Sequence, residues 1–406
     1  MTGDLSAAVR AAVGAVTDPE LRRPLAELDM VRGVEVDGTV AHVHIALTIV
    51  GCPAADRISR EVTDAAASVP GIDEVDLSVG VMTPAERQAL TERLRGGRAA
   101  RQMPFGPDSL TRVVAVTSGK GGVGKSTLTA NLAVALAARG LAVGLIDADV
   151  HGFSIPALLG LTDDDGRPPA PTRIDDLMLP PVAYGVKTIS IGMFLPRDQP
   201  ASAAVAWRGP MLHRTVSQFL TDVFFGDLDI LLIDMPPGTG DVAISVGQLL
   251  PHADVLVVTT PQTAASDVAV RSGLVAAQTG QRVIGVVENM AAMTLPDGTT
   301  LDLFGSGGGA AVAAALSATA GADAAGADAG GADAAGADAA GPNAGAVPLL
   351  ASVPLSPALR RGGDAGVPVV VAEPTDPAAV QIARVADALA MHPRGLARRP
   401  LPFTPR

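Results

Sequence analysis

The sequence predicts an α/β fold in which a parallel-sheet domain follows a smaller α/β domain. Three observations support this prediction. Short, continuous apolar runs alternate with helical patterns from Arg112 onward, as expected for parallel strands that are buried on both faces. The residues before this region instead combine an alternating strand pattern with amphipathic helical segments. A basic, glycine-containing stretch without a clear period separates the two regions, which predicts a linker.

These patterns set the expected domain boundaries. The smaller domain is placed at 1–92, the linker at 93–110 and the parallel-sheet domain at 111–392, followed by a basic, proline-rich tail at 393–406. A low-complexity insertion at 320–345 interrupts the second domain. Because it repeats Gly, Ala and Asp without a large apolar side chain, it cannot bury a core and is expected to be disordered.

Four elements are predicted in the first domain. In chain order they are a helix in SAAVRAAVGAV, a strand in AHVHIALTIV, a helix in PAADRISREVTDAAASV that starts at Pro53, and a strand in IDEVDLSVGV. His42 and His44 lie two residues apart and therefore share one face of the strand. We expect them to line a polar face and not to bind a metal.

The second domain is predicted from five buried strands. They are the apolar runs RVVAVTS, LAVGLID, LDILLID, ADVLVVTT and RVIGVVEN. After the insertion, VPLLASVPLSPALRRGGDAGVPVVV predicts a strand, a short helix and another strand. Alternation of strands with helices predicts one parallel sheet.

Composition excludes several classes of function. The chain has 406 residues and a formal net charge of −12, which disfavours binding to nucleic acids and to anionic membranes. Its single cysteine, Cys52, excludes an internal disulfide. No uncharged apolar run reaches the roughly 18 residues that a membrane span needs, and the amino terminus is unlike a signal peptide. We therefore expect a soluble, cytoplasmic protein.

The stretch GKGGVGKS fits the phosphate-binding pattern G-x-x-x-x-G-K-[ST], between a predicted strand and a predicted helix. Glycines let the backbone N–H groups approach the phosphates, and the helix amino terminus adds a favourable dipole. Lys125 is expected to contact the terminal phosphates of ATP and Ser126 to bind Mg²⁺. The predicted nucleotide-binding residues of this loop are Gly119, Lys120, Gly121, Gly122, Val123, Gly124, Lys125, Ser126 and Thr127.

Acidic residues follow two other buried strands. Asp234 ends LDILLID and is expected to hold Mg²⁺ through water, with the glycine-rich PPGTGD loop next to it as a sensor of the γ-phosphate. Asp147 and Asp149 lie in LIDADVHG. Asp149 is placed beyond the strand end, where a catalytic carboxylate could orient the attacking water. The alternative is that it only caps a turn or a helix.

The second lysine of the loop, Lys120, cannot easily fold back onto phosphates that its own loop surrounds. The pattern KGGxGKS resembles the deviant Walker A class of ATPases, which includes MinD, ParA and the nitrogenase iron protein. The resemblance implies a homodimer that sandwiches ATP. In it, Lys120 would act catalytically on the nucleotide of the partner subunit, as an arginine finger does.

Further stretches narrow the resemblance to one branch of this class. DADVHGFSIPALLG, WRGPMLHRTVSQFL, DMPPGTGD, VVENM, FGSGGG and VPLSPALR are similar to segments of the Mrp/NBP35 (ApbC-like) iron–sulfur carrier ATPases. The resemblance covers about 112–390, apart from the insertion. It implies that Asn289 reads the edge of the adenine ring and that Pro354 lies in the loop that covers the base.

The first domain resembles the MIP18-like (DUF59) family. The stretches VTDPELRRPLAELDMVRGVEVDG and ALTIVGCPAADRI carry its DPE and T-x-x-GCP elements. The matching positions, Asp18, Glu20, Thr48 and Cys52, are expected to form a loop for a client protein or a cluster. Cys52 precedes a predicted helix, whose dipole favours the thiolate, so it is a candidate cluster ligand; the alternative is a buried structural cysteine.

One departure from the family concerns the cargo. Carriers of this family usually have a CPxC pair shortly after ENM, whereas this chain reads ENMAAMTLPDGTTLDLFG and has no cysteine there. The leading expectation is an ATP-hydrolysing iron–sulfur cluster carrier that serves apoproteins or assembly factors. The first alternative is a nucleotide-switched scaffold that has lost cluster binding. A MinD- or ParA-like positioning ATPase is the third class, and the charge and the proline-rich tail disfavour it.

Overall fold

The computed structural model describes residues 2–49, 54–94, 103–150, 152–195, 209–295, 297–328 and 346–391. The elements of the first part of the chain are α1 (Thr2–Ala15), β1 (Val31–Asp37), β2 (Val40–Leu47), α2 (Ala55–Ala67), β3 (Glu74–Val81), α3 (Pro84–Leu94), β4 (Arg112–Ser118), α4 (Lys125–Ala137), β5 (Val143–Asp147), α5 (Ile155–Leu158), β6 (Thr172–Ile174), β7 (Leu177–Leu179), β8 (Val182–Ala183), β9 (Val186–Ser190), a 3₁₀ helix (Ile191–Phe194) and α6 (Gly209–Thr221). Those of the second part are β10 (Ile230–Asp234), α7 (Asp241–Leu249), β11 (Asp254–Thr259), α8 (Thr263–Gln278), β12 (Arg282–Ala291), β13 (Met293–Thr294), β14 (Thr300–Leu301), α9 (Gly308–Asp328), β15 (Leu349–Pro354), α10 (Pro357–Ala365), α11 (Val369–Ala372) and α12 (Pro377–Ala390).

The chain divides into two compact units. The first unit contains residues 1–102 together with two later segments, 170–182 and 221–226. The second unit contains residues 103–169, 183–220 and 227–406. The first unit is therefore discontinuous in sequence, since the chain leaves the second unit twice and returns to it each time.

The first unit is built on a three-stranded sheet in the order β1-β2-β3. β2 pairs antiparallel with β1 and parallel with β3. As the alternating pattern of β2 predicts, Val43 and Ile45 are buried, while His42 and His44 lie on the exposed face. The helices α1 and α2 contribute Val13 and other apolar side chains to the same core.

The two later segments complete this core. β6 and β7 pair antiparallel as a hairpin, and Ile174, Leu177 and Leu179 of the hairpin are buried in the core of the first unit. Phe224 of the segment 221–226 lies in that core as well. The sequence patterns do not predict this hairpin, because each of its strands has only three residues and no clear alternation.

Two other elements of the first unit are absent from the sequence prediction. The strand β1 has a register shift at Val31/Gly33 in its pairing with β2, so it lacks the regular alternation that identifies a strand. The helix α3 extends to Leu94, slightly into the stretch assigned to the linker. Its apolar residues are few, and only Leu90, Thr91 and Leu94 of this helix are buried.

The second unit contains an eight-stranded sheet in the order β15-β12-β11-β4-β10-β5-β9-β8. The seven strands other than β8 run parallel to their neighbours. Every residue of β5, β10 and β11 is buried, as the continuous apolar runs predict. The five predicted strands of this domain are confirmed, and so is the parallel sheet.

Two predictions in the second unit are wrong. VPVVV forms the short helix α11 and not a strand, because Val369 is buried against the core and the Val370 N–H donates to Asn131 on α4 at 3.3 Å. Tertiary packing thus overrides the β propensity of valine. The low-complexity stretch is helical as far as Asp328, since α9 continues into it, whereas we expected disorder from residue 320. Alanine is the best helix former and explains this extension.

Within the described parts of the chain, no helix is both long enough and apolar enough to span a bilayer.

Candidate nucleotide-binding site

The predicted phosphate loop connects β4 to α4 at the carboxyl edge of the parallel sheet. The register of the strands places Val116, Asp234, Asp147 and Ser190 in one row across β4, β10, β5 and β9. Ligands of open α/β sheets bind outside the carboxyl ends of the strands. The row therefore brings the two acids that were predicted from separate stretches to the same edge as the loop.

The glycines give the loop its shape. Gly122 and Gly124 have φ angles of +80° and +79°, in the left-handed region that favours glycine. A Cβ added at Gly122 would meet no atom within 4 Å. This side of the loop therefore faces open space, into which the phosphates of a nucleotide can fit.

Lys125 lies at the centre of a buried polar cluster. Its Nζ is 2.7 Å from Oδ2 of Asp234, and the two side chains are 5% and 0% exposed. The Ser126 hydroxyl donates to the same Oδ2 at 2.6 Å, and the Thr129 hydroxyl donates to Oδ1 at 2.9 Å. Lys125, Ser126 and Thr129 thus converge on the Asp234 carboxylate.

Burial perturbs both acids of the row. It raises the pKa of Asp234, while the charge of Lys125 and the hydrogen bonds from Lys125, Ser126 and Thr129 oppose this change. Burial and the nearby charge of Asp234 raise the pKa of Asp147 to about 7, against the opposing hydrogen bond from Ser190. Burial thus disfavours the charged forms of both carboxylates, and a cation bound beside them would favour those forms.

The oxygen atoms of Ser126 and Asp234 fit a magnesium ion. Mg²⁺ prefers oxygen ligands and is bound through one or two carboxylates plus substrate phosphates. The Ser126 hydroxyl and the Asp234 carboxylate provide such oxygens beside the phosphate loop. They are the residues that would hold the ion when it is bound.

Asp149 lies two residues beyond the end of β5, where the sequence analysis placed it. It is 7% exposed, and its Oδ1 accepts a hydrogen bond from the Gly152 N–H at 3.1 Å. Its own N–H donates to Asp147 at 3.2 Å. The carboxylate therefore caps a local turn, as the alternative given in the sequence analysis predicts. A catalytic role of Asp149 stays a prediction.

Lys120 does not belong to the cluster around Asp234. Its Nζ donates to Oε1 of Gln262, the residue before α8, at 3.2 Å. This agrees with the expectation that Lys120 does not fold back onto its own phosphate site. A role of Lys120 in a second subunit stays a prediction.

Asn289 contacts the phosphate loop from β12. Its Nδ2 donates to the Val123 carbonyl at 2.8 Å, and the residue is 4% exposed. A Cβ at Gly124 would lie only 2.3 Å from this Nδ2. Asn289 thus braces the loop. Pro354 ends β15 and pairs with Ala291. The contacts of Asn289 and Pro354 with adenine stay predictions.

The predicted client loop is described only in part. Asp18 is buried, and its Oδ1 accepts the N–H groups of Glu20 and Leu21 at 2.9 and 2.8 Å. Glu20 accepts a hydrogen bond from Thr172 at 2.9 Å, while burial raises its pKa. Thr48 is 3% exposed. Cys52 lies outside the described residues.

A small hairpin occupies the place where the family's cysteine pair is expected. β13 and β14 pair antiparallel, and the Leu295 N–H donates to the Thr299 carbonyl at 2.8 Å. Asp297 accepts the Thr299 N–H at 2.9 Å and closes the turn. In the described residues, no group of three or more His, Cys, Asp or Glu side chains is arranged to hold a metal ion.

Three residues of the site escaped the sequence analysis. Thr129 and Ser190 donate to the two buried acids, and Gln262 accepts from Lys120. Thr129 lies one helical turn after Lys125, a spacing that could have identified it. Ser190 is the last residue of the buried strand β9, and Gln262 lies just after the buried strand β11. Neither belongs to a recognisable motif, so only the order of strands in the sheet connects them to the loop.

Comparison with known proteins gives consistent matches. Residues 109–324 match the family described as "NUBPL iron-transfer P-loop NTPase", and residues 6–79 match "Iron-sulfur cluster assembly protein". A protein of Mycobacterium tuberculosis named "Iron-sulfur cluster carrier protein" is 51% identical over 406 residues, which cover 99% of this chain and 98% of that protein. A Synechocystis protein with the same name is 37% identical over 382 residues, covering 92% of this chain and 94% of the relative.

A solved structure of a nucleotide-binding protein from Archaeoglobus fulgidus, in complex with ADP, is also similar. It is 28% identical, covers 73% of this chain and 98% of its own, and superimposes with a TM-score of 0.47. The phosphate loop, the row of buried acids and the full-length relatives agree with the family match. This chain belongs to the family of NUBPL iron-transfer P-loop NTPases.

Proposed function

We propose that this protein is an iron–sulfur cluster carrier that binds and hydrolyses ATP and transfers clusters to apoproteins. The observation that carries the proposal is the buried Lys125–Asp234–Ser126 cluster at the phosphate loop. It occurs in a chain whose relatives, matched over nearly their whole length, are named cluster carriers. The match of residues 6–79 to a cluster assembly family supports the same function.

Nucleotide binding would rearrange this cluster. Lys125 is bonded to Asp234 without nucleotide, and a phosphate oxygen would compete with the carboxylate for its ammonium group. The loop N–H groups and the amino terminus of α4 would face the phosphates. When bound, Mg²⁺ would supply positive charge to the β- and γ-phosphate oxygens. Ser126 and Asp234 would then orient toward the ion and no longer toward each other.

Hydrolysis would use the two residues that lie beside this cluster. Asp149 would leave its turn and orient the attacking water, and Lys120 would stabilise developing charge on the nucleotide of a partner subunit. A homodimer is therefore part of the proposal. ATP binding would close the dimer, and hydrolysis would reopen it.

The cargo would be held differently from the family pattern. The hairpin β13–β14 offers no thiolate, and thiolates are the usual ligands of iron–sulfur clusters. Cys52 is the only cysteine of the chain, so a homodimer has two. We propose that Cys52, which matches the family's sequence elements together with Asp18, Glu20 and Thr48, is the protein ligand of the cluster. The remaining ligands would come from small thiols or from the client.

Anaerobic reconstitution with iron, sulfide and a small thiol tests this function. We expect the wild-type protein to gain the visible absorption of a cluster, to retain iron after desalting and to activate an apo-ferredoxin. Cys52→Ala should lose both the iron and the transfer but retain ATP binding, because the phosphate loop belongs to the other unit. Cys52→Ser is the matched control for side-chain size.

The alternative function is a nucleotide-switched scaffold that has lost cluster binding; its basis is the missing CPxC pair, and the relatives named cluster carriers do not favour it. Equal iron retention by wild type and Cys52→Ala would exclude Cys52 as the ligand. If in addition neither protein transfers a cluster, while ATP still controls binding to a client, the scaffold is the better function.

The proposed location of the protein is the cytoplasm, with no nucleic acid or membrane among its partners.

A further inference from the structure

Lys120 and Gln262 form a pair outside the cluster that surrounds Asp234. The Lys120 ammonium donates to the Gln262 amide oxygen at 3.2 Å in a partly buried position. The Lys120 carbonyl also accepts the Ser118 hydroxyl at 3.1 Å. Both the backbone and the side chain of Lys120 are therefore held within its own subunit.

The helix α8 is fixed tightly against the phosphate loop. A Cβ at Gly119 would lie 2.3 Å from the Ala269 nitrogen and 2.4 Å from the Val268 carbonyl carbon, so only glycine permits this approach. One turn further on, the Ser272 hydroxyl donates to the Ser118 carbonyl at 3.4 Å. Since α8 cannot shift relative to the loop without breaking these contacts, the position of Gln262 opposite Lys120 is set by the backbone.

The Gln262 side chain is not used by its own helix. Gln262 is the residue before the first turn of α8, and its side chain makes no capping hydrogen bond. Its carbonyl, not its amide, accepts the N–H groups of Ala265 and Ser266 at 2.9 and 3.1 Å. Among the described residues, the Gln262 amide oxygen accepts its hydrogen bond from Lys120.

We propose that Gln262 is a positioning residue that holds Lys120 in its own subunit and releases it when two subunits close around ATP. This inference rests on the proposed role of Lys120 across the dimer. A neutral amide suits the task, because it binds an ammonium group without neutralising its charge. A carboxylate at the same position would form an ion pair, which holds the lysine more tightly and slows its release.

Amine acylation measured by mass spectrometry tests the pair directly. The chain has three lysines, and Lys125 and Lys187 are each only 5% exposed, so Lys120 is the accessible lysine. In the full-length, nucleotide-free protein we expect acetic anhydride to label Lys120 about fivefold faster in Gln262→Ala than in wild type. Labelling should be slower than wild type in Gln262→Glu.

The control is Gln278→Ala, because Gln278 ends the same helix and is exposed. It should label Lys120 at the wild-type rate. Equal labelling in wild type and Gln262→Ala would overturn the inference, and so would equal acceleration in Gln262→Ala and Gln278→Ala.

Steady-state kinetics give a readout that a merely structural role would not move. Gln262→Glu should lower kcat about fivefold while the Kd for ATP stays within about twofold of wild type, since Lys120 is retained by the ion pair and the cradle is intact. Equal losses in nucleotide affinity and kcat would indicate a damaged loop and would overturn the assignment of Gln262.

A third arm separates this inference from the proposed function. In wild type, a non-hydrolysable ATP analogue with Mg²⁺ should protect Lys120 from acylation, and the protection should increase with protein concentration. Protection that is independent of protein concentration would contradict the two-subunit role of Lys120 and with it the release step at Gln262. Faster acylation of Lys120 in Gln262→Ala without added nucleotide would then still support the Lys120–Gln262 bond. The failure of the two-subunit role and the failure of the bond are therefore distinguishable.

Discussion

At the scale of single residues, a carboxylate and a phosphate compete for the ammonium group of Lys125. Its Nζ is 2.7 Å from Asp234, in a site where both side chains are buried. Removing one partner of a buried pair leaves the other charge unpaired, which is costly. In the proposed nucleotide complex, the affinity for ATP would include the free energy needed to break this pair, and Mg²⁺ beside Asp234 would offset that cost.

We predict that Lys125→Ala lowers kcat for ATP hydrolysis by about 100-fold or more, because the cation nearest the transferred phosphate is lost. Phosphate release measures this effect. The control is Arg139→Ala. This change removes a cation that lies two residues after the end of α4 and forms a partly exposed ion pair with Asp387. The control should hydrolyse ATP like wild type. Turnover by Lys125→Ala near the wild-type rate would show that the catalytic site lies elsewhere.

The free energy of unfolding depends on pH through the buried carboxyl group of Asp147. Its pKa is raised from 3.8 to about 7, so the folded state binds a proton more strongly than the unfolded state. The contribution of this group to the free energy of unfolding is fully present below about pH 4. It is lost as the pH rises through about 7. Hydrogen bonds that favour the charged form, such as that from Ser190, limit the loss.

We predict that Ser190→Ala is destabilised more at pH 8 than at pH 5, by roughly 1 kcal/mol. The Ser190 hydroxyl donates to Asp147 at 3.0 Å, and without it the pKa of Asp147 moves still higher. Urea denaturation with a chelator and without nucleotide measures the difference. The control is Ser317→Ala, whose hydroxyl bonds only backbone groups in the recorded contacts. A loss of stability that is equal at both pH values would contradict the assignment.

At the scale of elements, the approach of α8 to β4 depends on one missing side chain. Gly119 meets backbone atoms of α8 and not the flexible end of a side chain, so the clash cannot be relieved by a rotamer change. The loop and the helix therefore behave as one rigid element. This rigidity explains why a loop that must stay open to phosphate can still hold Lys120 in a fixed place.

We predict that Gly119→Ala lowers the free energy of unfolding by about 1–3 kcal/mol and weakens ATP binding, since α8 must shift. Thermal unfolding without nucleotide and titration with a fluorescent ATP analogue measure both effects. Gly121→Ala is the matched control for stability, because a Cβ there meets only Pro237 Cγ at 3.9 Å. The prediction fails if both variants melt at the same temperature as wild type.

Most of the second unit could be predicted because its signals are local. The runs in β5, β10 and β11 are buried on both faces and read as continuous apolar strands. The motif GKGGVGKS identifies the loop without any tertiary information. VPVVV was mispredicted because packing against α4 decides its state, and the hairpin β6–β7 was missed because its partners lie far away in sequence.

The residues of the candidate site also fall into two groups, those identified by a local motif and those that depend on the order of the strands. Lys125, Ser126 and Asp234 were predicted, since each belongs to a motif, and the structure brings them together. Ser190 ends β9 and Gln262 lies just after β11, and neither residue belongs to a sequence motif. Their roles depend on which strands are neighbours in the sheet, and a single sequence does not contain that order. Cys52 was predicted, and it lies outside the described residues.

At the scale of the whole molecule, the proposed dimer assigns Lys120 and Asp149 to different active sites. Each complete site would take Asp149 from the subunit whose loop holds the nucleotide and Lys120 from the partner. Two variants that are inactive for different reasons should therefore complement each other. One of the two sites in a mixed dimer would contain both wild-type residues.

We predict that Lys120→Ala and Asp149→Ala each lose most ATP hydrolysis and that a mixture regains activity. With random assortment of equal amounts, half of the dimers are mixed and each has one intact site, so about a quarter of wild-type activity should return. Two different affinity tags would confirm that mixed dimers form. Mixed dimers without activity would show that both residues serve the same subunit's nucleotide.

The discontinuity of the first unit also has a consequence for the order in which the protein is made. Its core includes Ile174 and Leu177 of the hairpin and Phe224 of the segment 221–226. The ribosome has therefore passed residue 226, beyond β4, α4 and β5, before the amino-terminal unit can be completed. At about 5–20 residues per second, the first 102 residues wait roughly 6–25 s for those side chains. During that interval an incomplete apolar core is exposed at the front of the nascent chain, so the amino-terminal unit, although its first 102 residues are translated first, cannot finish folding until part of the second unit has also been made.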